Sequence, residues 1–168
     1  YFQWNIMNHS TLEKACFDRD AWGLLDLMAV LTFPDIVRLK AVEDGQMVGF
    51  VAGDPRPSEG FAWIATIGVD PRYHRRGFGR ALLQACEARA KEMRIRRLFA
   101  LTTRASHWFL EQGFKPATVA KLPEQRQQLA TAHAHLLAVL LEVCGNALAA
   151  RAGADPGPDD RCAPLDAE

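Results

Sequence analysis

The chain has 168 residues, of which 49% are apolar and 24% charged, with 20 Lys and Arg against 20 Asp and Glu. That composition excludes a disordered chain and supplies one ordinary domain with enough apolar mass for a core. A net charge of zero excludes a protein that coats nucleic acid or rests on a polybasic membrane contact, so neither nucleic acid nor membrane is expected as a partner.

The zero is a sum of unlike parts. Residues 1–71 carry 5 basic and 10 acidic groups, whereas residues 72–104 carry 10 basic and 2 acidic ones, Glu87 and Glu92. Half of the positive charge therefore sits in one short stretch. The four cysteines, Cys16, Cys86, Cys144 and Cys162, form no C-x-x-C pair and no metal-ligand spacing. No metal is expected, and a reducing cytoplasm is. The apolar run at residues 136–141 is interrupted nearby by His133, His135, Glu142 and Asn146, too soon to span a bilayer. No basic n-region followed by an apolar run opens the chain. Residues 1–3, Tyr-Phe-Gln, have the look of a protease-tag remnant and carry no weight.

In chain order, Ser10-Thr11-Leu12-Glu13 forms a capping box that opens a short helix to about Phe17. Asp20 caps a second helix through about Leu31. Strand-like runs at residues 36–42 and 47–53 flank Glu43-Asp44-Gly45-Gln46, and Asp-Gly between β-branched runs predicts a hairpin. Residues 54–60 hold two prolines and a glycine and predict a loop. Residues 61–69 predict a third strand, ended by Asp70-Pro71. A helix over 77–93 follows, with Leu82, Leu83, Cys86, Ala90 and Met93 as its core stripe and Arg89 and Lys91 on its wet side. Next come a strand over 97–102, a short helix over 105–112 closed by Gly113, and a further strand over 114–119. Residues 124–150 are apolar almost all round and rich in Ala and Leu, which predicts a helix. Residues 151–168 are Gly, Pro, Asp and Ala and predict a disordered tail.

The chemically informative segment is Val69-Asp70-Pro71-Arg72-Tyr73-His74-Arg75-Arg76-Gly77-Phe78-Gly79-Arg80. A strand ends at a proline, a basic turn with two glycines follows, and an amphipathic helix begins at once. A helix N-terminus presents unpaired N–H groups and a partial positive charge, and glycines let a phosphate approach the backbone. Arg72, Arg75, Arg76 and Arg80 add charge and forked donors. The sum predicts a site for a pyrophosphate. A dinucleotide-binding G-x-G-x-x-G is excluded by Leu82 at its third glycine, and a nucleotide P-loop by the absence of G-x-x-x-x-G-K-[ST].

Val-x-Pro followed by the basic Gly-x-Gly turn resembles the GNAT superfamily of acyl-CoA N-acyltransferases, over about residues 12–126. The resemblance implies an α/β (α+β) fold with a mixed, mostly antiparallel central sheet flanked by helices, here followed by an atypical helical C-terminal extension. The implied organisation is a GNAT domain at 1–126, an apolar helical extension at 127–150 and a disordered tail at 151–168. It implies acetyl-CoA as co-substrate. Its pyrophosphate would lie on the backbone of Arg75, Arg76, Gly77, Phe78, Gly79 and Arg80, and its pantetheine arm along Ile67, Gly68 and Val69. The Val69 N–H would receive the developing oxyanion. The family's first motif position, usually Gln or Arg, is His74 here.

Two branches of the family are represented. The front and middle resemble the ribosomal-protein-alanine N-acetyltransferases. Residues 97–126, with Leu101-Thr102-Thr103-Arg104 and His107-Trp108-Phe109, resemble the acetyltransferase domain of bacterial N-acetylglutamate synthases. The protein-acetylating group uses a Glu and a Tyr where this chain has Thr102 and Phe109. The glutamate synthases have a Glu where it has Trp63. The implied acceptor is a primary amine, and Thr102 and Phe109 lean toward an amino acid or small-molecule amine such as glutamate over a peptide N-terminus. A coenzyme-A-binding module without turnover is the reading from another class. His107 and Glu59 are the candidate proton acceptors, His107 because its ordinary pKa suits a base near neutrality, and a water relay with no side-chain base is the third alternative. Arg104 is the candidate for a substrate carboxylate. Residues 129–150 are expected to cover either a neighbouring subunit, which makes a homodimer an expectation, or the open sheet edge.

Overall fold

The computed structural model describes residues 11–12, 14–16, 34–102, 104–118 and 120, and the strand at 139–144. Among the described residues six strands form one sheet in the order β1-β2-β3-β4-β6-β5. They are β1 (Val37–Glu43), β2 (Gln46–Arg56), β3 (Phe61–Val69), β4 (Arg97–Thr102), β5 (Lys115–Pro116) and β6 (Val139–Cys144). Two helices follow chain order between them, α1 (Phe78–Glu92) and α2 (Ser106–Glu111). Every strand pairing is antiparallel except β3 with β4. That parallel pair is joined through α1, as parallel neighbours require a long crossover.

The hairpin forms where the Asp-Gly signal places it. Asp44 and Gly45 both have positive φ, 48° and 77°, the left-handed pair that matches strand twist in a two-residue turn. The expected loop over 54–60 is shorter than the prolines suggested. β2 runs on to Arg56, and Pro57–Glu59 form a 3-10 turn closed by Gly60 at φ 73°. Pro55 is tolerated because β2 has left β1 by then. The last β1–β2 pair is Val37 with Gly53, so residues 54–56 pair only with β3.

α1 lies on β1, β2 and β3. It buries Leu82, Leu83, Cys86, Glu87 and Ala90, and each of the two leucines contributes about 2 kcal/mol of burial. Glu87 is a departure from the predicted stripe: it is 0% exposed. The helix ends with Arg89 and Lys91 in its last turn and Arg94 at φ 58° beyond it, a basic, left-handed stop. On the opposite face of the sheet, Phe61 and Phe99 form a second cluster with Trp63 and Leu101 beside it. α2 buries Trp108 and Phe109. Gly113 at φ 83° closes it, with Phe114 N–H donating to the Phe109 carbonyl at 3.0 Å.

The C-terminal expectation needs correction. Within the stretch read as a helix, Val139–Cys144 is a strand, β6, paired with β4 from Arg97–Cys144 to Thr102–Val139 and with β5. An apolar run without period cannot distinguish a buried strand from a buried helix. The unsatisfied edge of β4 decides for the strand, since each buried backbone N–H and C=O needs a partner. The sheet therefore draws on residues beyond 126. The strand expected over 114–119 shortens to Lys115–Pro116. Residues 11–12 and 14–16 are helical as the capping box predicts. The helix expected over 20–31, the segment 122–126 and the tail expected over 151–168 lie outside the described residues.

Candidate active site at the β3 end and the basic turn

The turn between β3 and α1 alternates backbone handedness. Arg75 has φ 60° and Gly77 has φ 84°, with Arg76 between them. Such alternation points successive N–H groups into one concavity, a nest for anions. Gly77 is also the N-cap of α1 and offers no side-chain acceptor to its first N–H groups. Nest and helix end converge on one place where negative charge is favoured. The backbone of Arg75 to Arg80 thus fits a pyrophosphate on geometry alone.

The side chains of the turn behave differently from expectation. Two of the four arginines already hold carboxylates. Arg72 grips Asp70 through Nε and Nη2, at 2.7 Å for the shorter contact, while its N–H donates to Asp70 Oδ1 at 2.9 Å. Hydrogen bonding from Arg72 holds the Asp70 carboxyl below its ordinary value, against the opposing effect of burial. Arg76 donates through both terminal nitrogens to Glu43, at 2.7 and 2.6 Å. The forks of Arg72 and Arg76 are therefore occupied by carboxylates of the chain itself. His74 Nε2–H donates to the Val69 carbonyl at 2.8 Å. The imidazole pins the end of β3, so in this structure it is a brace rather than a contact reaching into the nest.

The adjacent sheet is parted. β3 pairs with β4 only from Phe61 to Ile64. At that point Ala65 drops out of the β2 register, since Ala52 pairs with Thr66 and Gly53 with Ile64. A bulge bends a strand, and beyond it Ile67, Gly68 and Val69 have no β4 partner, while Leu101 and Thr102 pair with β6. One side of the terminal β3 backbone thus has no strand partner among the described residues. Gly79 and Trp108 bridge this end: a Cβ at Gly79 would stand 3.4 Å from Trp108 Cζ2 and 3.8 Å from Val69 Cγ2. The two glycines thus act differently, Gly77 by handedness and Gly79 by close packing. Trp108 Nε1 and Gln112 Oε1 are buried without hydrogen-bond partners among the described residues.

The catalytic candidates are dispersed. His107 lies on α2, 66% exposed, with Nε2 3.2 Å from Glu111 Oε1. Arg104 is exposed in the β4–α2 turn. Glu59 lies in the 3-10 turn before β3, at the opposite end of that strand from Val69 and about 25 Å from it at the usual rise per residue. Thr102 Oγ1 accepts from the N–H of Ala105 at 2.8 Å and of Arg104 at 3.3 Å, so it shapes the turn. Phe109 is 3% exposed, packed edge-on against Trp108 and Phe114. Trp63 is half-buried beside Phe99. Among the described residues no three His, Cys, Asp or Glu side chains group as metal ligands. No helix among them is long and apolar enough to cross a membrane. Sequence reading missed the role of Glu43, whose partner is 33 residues away. It also missed the burial of Glu87, for which the signal was its i+4 spacing from Leu83.

Comparison with known proteins agrees with this geometry. Residues 6–114 match the acetyltransferase (GNAT) family. An amino-acid acetyltransferase from Ralstonia nicotianae is 45% identical over 96 residues, which is 56% of this chain and 21% of that protein. Among solved structures, N-acetylglutamate synthase from Neisseria gonorrhoeae, complexed with coenzyme A and N-acetyl-glutamate, superimposes with a TM-score of 0.72 at 24% identity, over 84% of this chain and 33% of that one. The ribosomal-protein-S18-alanine N-acetyltransferase from Escherichia coli superimposes at 0.66 with 18% identity, over 86% and 90%. The chain spans between a fifth and a third of the length of the curated relatives it matches. With the parted sheet, the anion nest and the family match over the same residues, the chain belongs to the GNAT acetyltransferase family.

Proposed function

We propose that the protein transfers an acetyl group from acetyl-CoA to the amine of an amino acid, with glutamate the first acceptor to test. The observation that carries this reading is the juxtaposition of the nest at Arg75–Gly77 with the β4-free backbone of Ile67–Val69. The substrate class is supported by the 45% identical relative, named amino-acid acetyltransferase. Acetyl-CoA supplies the activated acyl group. The chain supplies position: backbone N–H groups of Arg75 to Arg80 hold the pyrophosphate, and Ile67, Gly68 and Val69 hold the pantetheine arm. The Val69 N–H stabilises negative charge at the carbonyl oxygen. The clamp from His74 to the Val69 carbonyl holds the next peptide unit, Val69–Asp70, and so fixes the end of the strand that carries this N–H.

An imidazole nitrogen of His107 takes the proton from the acceptor ammonium, with Glu111 orienting the ring. Glu59, at the far end of β3 and about 25 Å from Val69, is out of reach of that proton. Arg104, one turn from His107, meets the acceptor carboxylate. A thiol-release assay with acetyl-CoA and a panel of glutamate, other amino acids and N-terminal peptides tests this. Turnover with an amino acid supports it, and His107→Ala should lower kcat at least tenfold while KM for acetyl-CoA stays put. Absence of acetyl-CoA binding by calorimetry overturns it.

A second reading has one observation in its favour. Thr102 and Phe109 hold the turn and the core, so neither provides an acid or base. A coenzyme-A-binding module would bind without turnover across the whole panel. Association of two copies through residues beyond 126 belongs with either reading, and sedimentation of the full chain decides it.

A further inference from the structure

Glu43 ends β1, on the rim of a hairpin that contributes nothing to the coenzyme turn by sequence. Its carboxylate nevertheless takes both terminal nitrogens of Arg76, at 2.6 and 2.7 Å. The guanidinium is held on its faces as well, 5.3 Å from the Tyr73 ring centroid and 5.7 Å from that of Phe78. A bidentate fork fixes direction as well as distance. The hairpin end is itself stiff, because its two turn residues are both left-handed. The hairpin grips the same segment at a second point: the carbonyl of Val48, which drops out of the β1 register, accepts from the Asp70 N–H at 2.8 Å.

We propose that Glu43 is a positioning residue for the coenzyme turn: by holding Arg76 from the hairpin it keeps the nest open between Arg75 and Gly77. The proposal rests on the reading of that turn as the coenzyme A site. Arg76 is the middle residue of the alternation, flanked by left-handed Arg75 and Gly77. A left-handed arginine is disfavoured on its own, so the turn needs an outside restraint. Anchoring the side chain between the two left-handed residues provides one. It also explains why an acid stands so near a site for a polyanion. A carboxylate there is electrostatically wrong for phosphate and is tolerated because the fork it fills sets backbone shape.

The sign of one mutation separates this from an ordinary surface ion pair. If Glu43 acted only through its charge, Glu43→Gln would tighten coenzyme A binding, most at low salt. If Glu43 positions the turn, Glu43→Gln weakens binding by about fivefold, the size of one well-formed ion pair. Arg76→Gln should weaken it similarly, and the double variant no further, because both remove one interaction. Calorimetry with coenzyme A at two salt concentrations reads the affinities, and a thermal melt confirms folding. Amide NMR spectra of the coenzyme-free protein read the turn directly: resonances of residues 75–79 should shift and broaden in Glu43→Gln. Tighter or unchanged binding with unmoved amides overturns the positioning role. A wild-type chain that binds no coenzyme A overturns the proposed function instead, and the coenzyme-free spectra still decide the role of Glu43.

Discussion

Gly79 faces the indole of Trp108 so closely that a Cβ built on it stands 3.4 Å from Trp108 Cζ2. A methyl group just fits at that distance, and alanine is the better helix former by up to about 1 kcal/mol. Gly79→Ala should therefore fold with an unchanged or slightly higher melting temperature. Gly79→Leu cannot fit between Trp108 and Val69 and should cost about 1–3 kcal/mol by overpacking. It should also lift the start of α1 from α2 and weaken coenzyme A binding. Thermal melts and calorimetry on the two variants check the contrast. Equal behaviour would remove the packing account of this glycine.

Gly49, in the middle of β2, has less room. A Cβ there would meet the Gly68 carbonyl oxygen and Leu82 Cδ1 at 3.0 Å and Val69 Cγ2 at 3.2 Å. The first of these is backbone in the strand segment that parts from β4, and it cannot rotate away. Gly49→Ala should destabilise by about 1–3 kcal/mol and displace the Gly68 peptide, weakening coenzyme A binding with it. Gly60→Ala is the control. It has φ 73° and nothing within 4 Å, so its cost of about 1 kcal/mol is conformational and binding should be untouched. Urea unfolding with calorimetry separates the two.

Asp70 couples the turn to acid. Its carboxyl titrates below its ordinary value of 3.8, chiefly through the hydrogen bonds from Arg72. A group whose folded pKa is depressed stabilises the fold above its unfolded value and loses that contribution as pH falls through the folded one. Asp70 also caps the 3-10 turn through the Arg72 N–H. Asp70→Asn keeps an oxygen for the Arg72 N–H but loses the ion pair to the guanidinium, and should cost up to about 1 kcal/mol near neutrality. Its stability should approach that of the parent as pH falls below 3.8 and through the depressed folded value. Parallel urea titrations from pH 2.5 to 7 read this. A gap that persists undiminished in acid would assign the loss to packing.

Cys86 has the opposite character. Burial, with the neighbouring charge of Glu87, pushes its thiol up from an ordinary 9.0 to about 12. The thiolate is the reactive form, so Cys86 should resist alkylation at pH 8 in the native protein and react at once in denaturant. Peptide mapping after iodoacetamide treatment checks it. The linkage runs toward alkaline instability. Between pH 9 and 12 the unfolded chain releases this proton and the folded one keeps it, so stability falls by about 1.4 kcal/mol per pH unit from this group.

How much of this was legible in the residues differs by element. Asp44-Gly45, the strand at 97–102, the helix at 78–92 and the Gly113 stop all carry local signals, and the structure places them within a few residues. Each depends on chemistry within one turn or one pair of strands. The turn from Val69 to Gly79 was legible for the same reason: handedness, proline and glycine act on the backbone that bears them. The pairing of the charge there was not legible. Counting arginines shows four cations, but only the folded chain shows that Asp70 and Glu43 occupy two of them.

What the sequence alone determined, then, is most of the local elements and the glycine-containing basic turn before α1, because propensity, capping and turn handedness are short-range. The tertiary structure decided the rest. Residues 139–144 became a strand because β4 had an open edge, not because their pattern demanded it. Glu87 became buried because of where α1 lies on the sheet. β3 and β4 part after Ile64 and Ala100 because a bulge at Ala65 bends one strand away from its partner. Glu43 meets Arg76 because folding closes a loop of 33 residues between them. Contacts between distant segments leave no period and no motif in the chain, since their energy is gained only once the fold has brought them together.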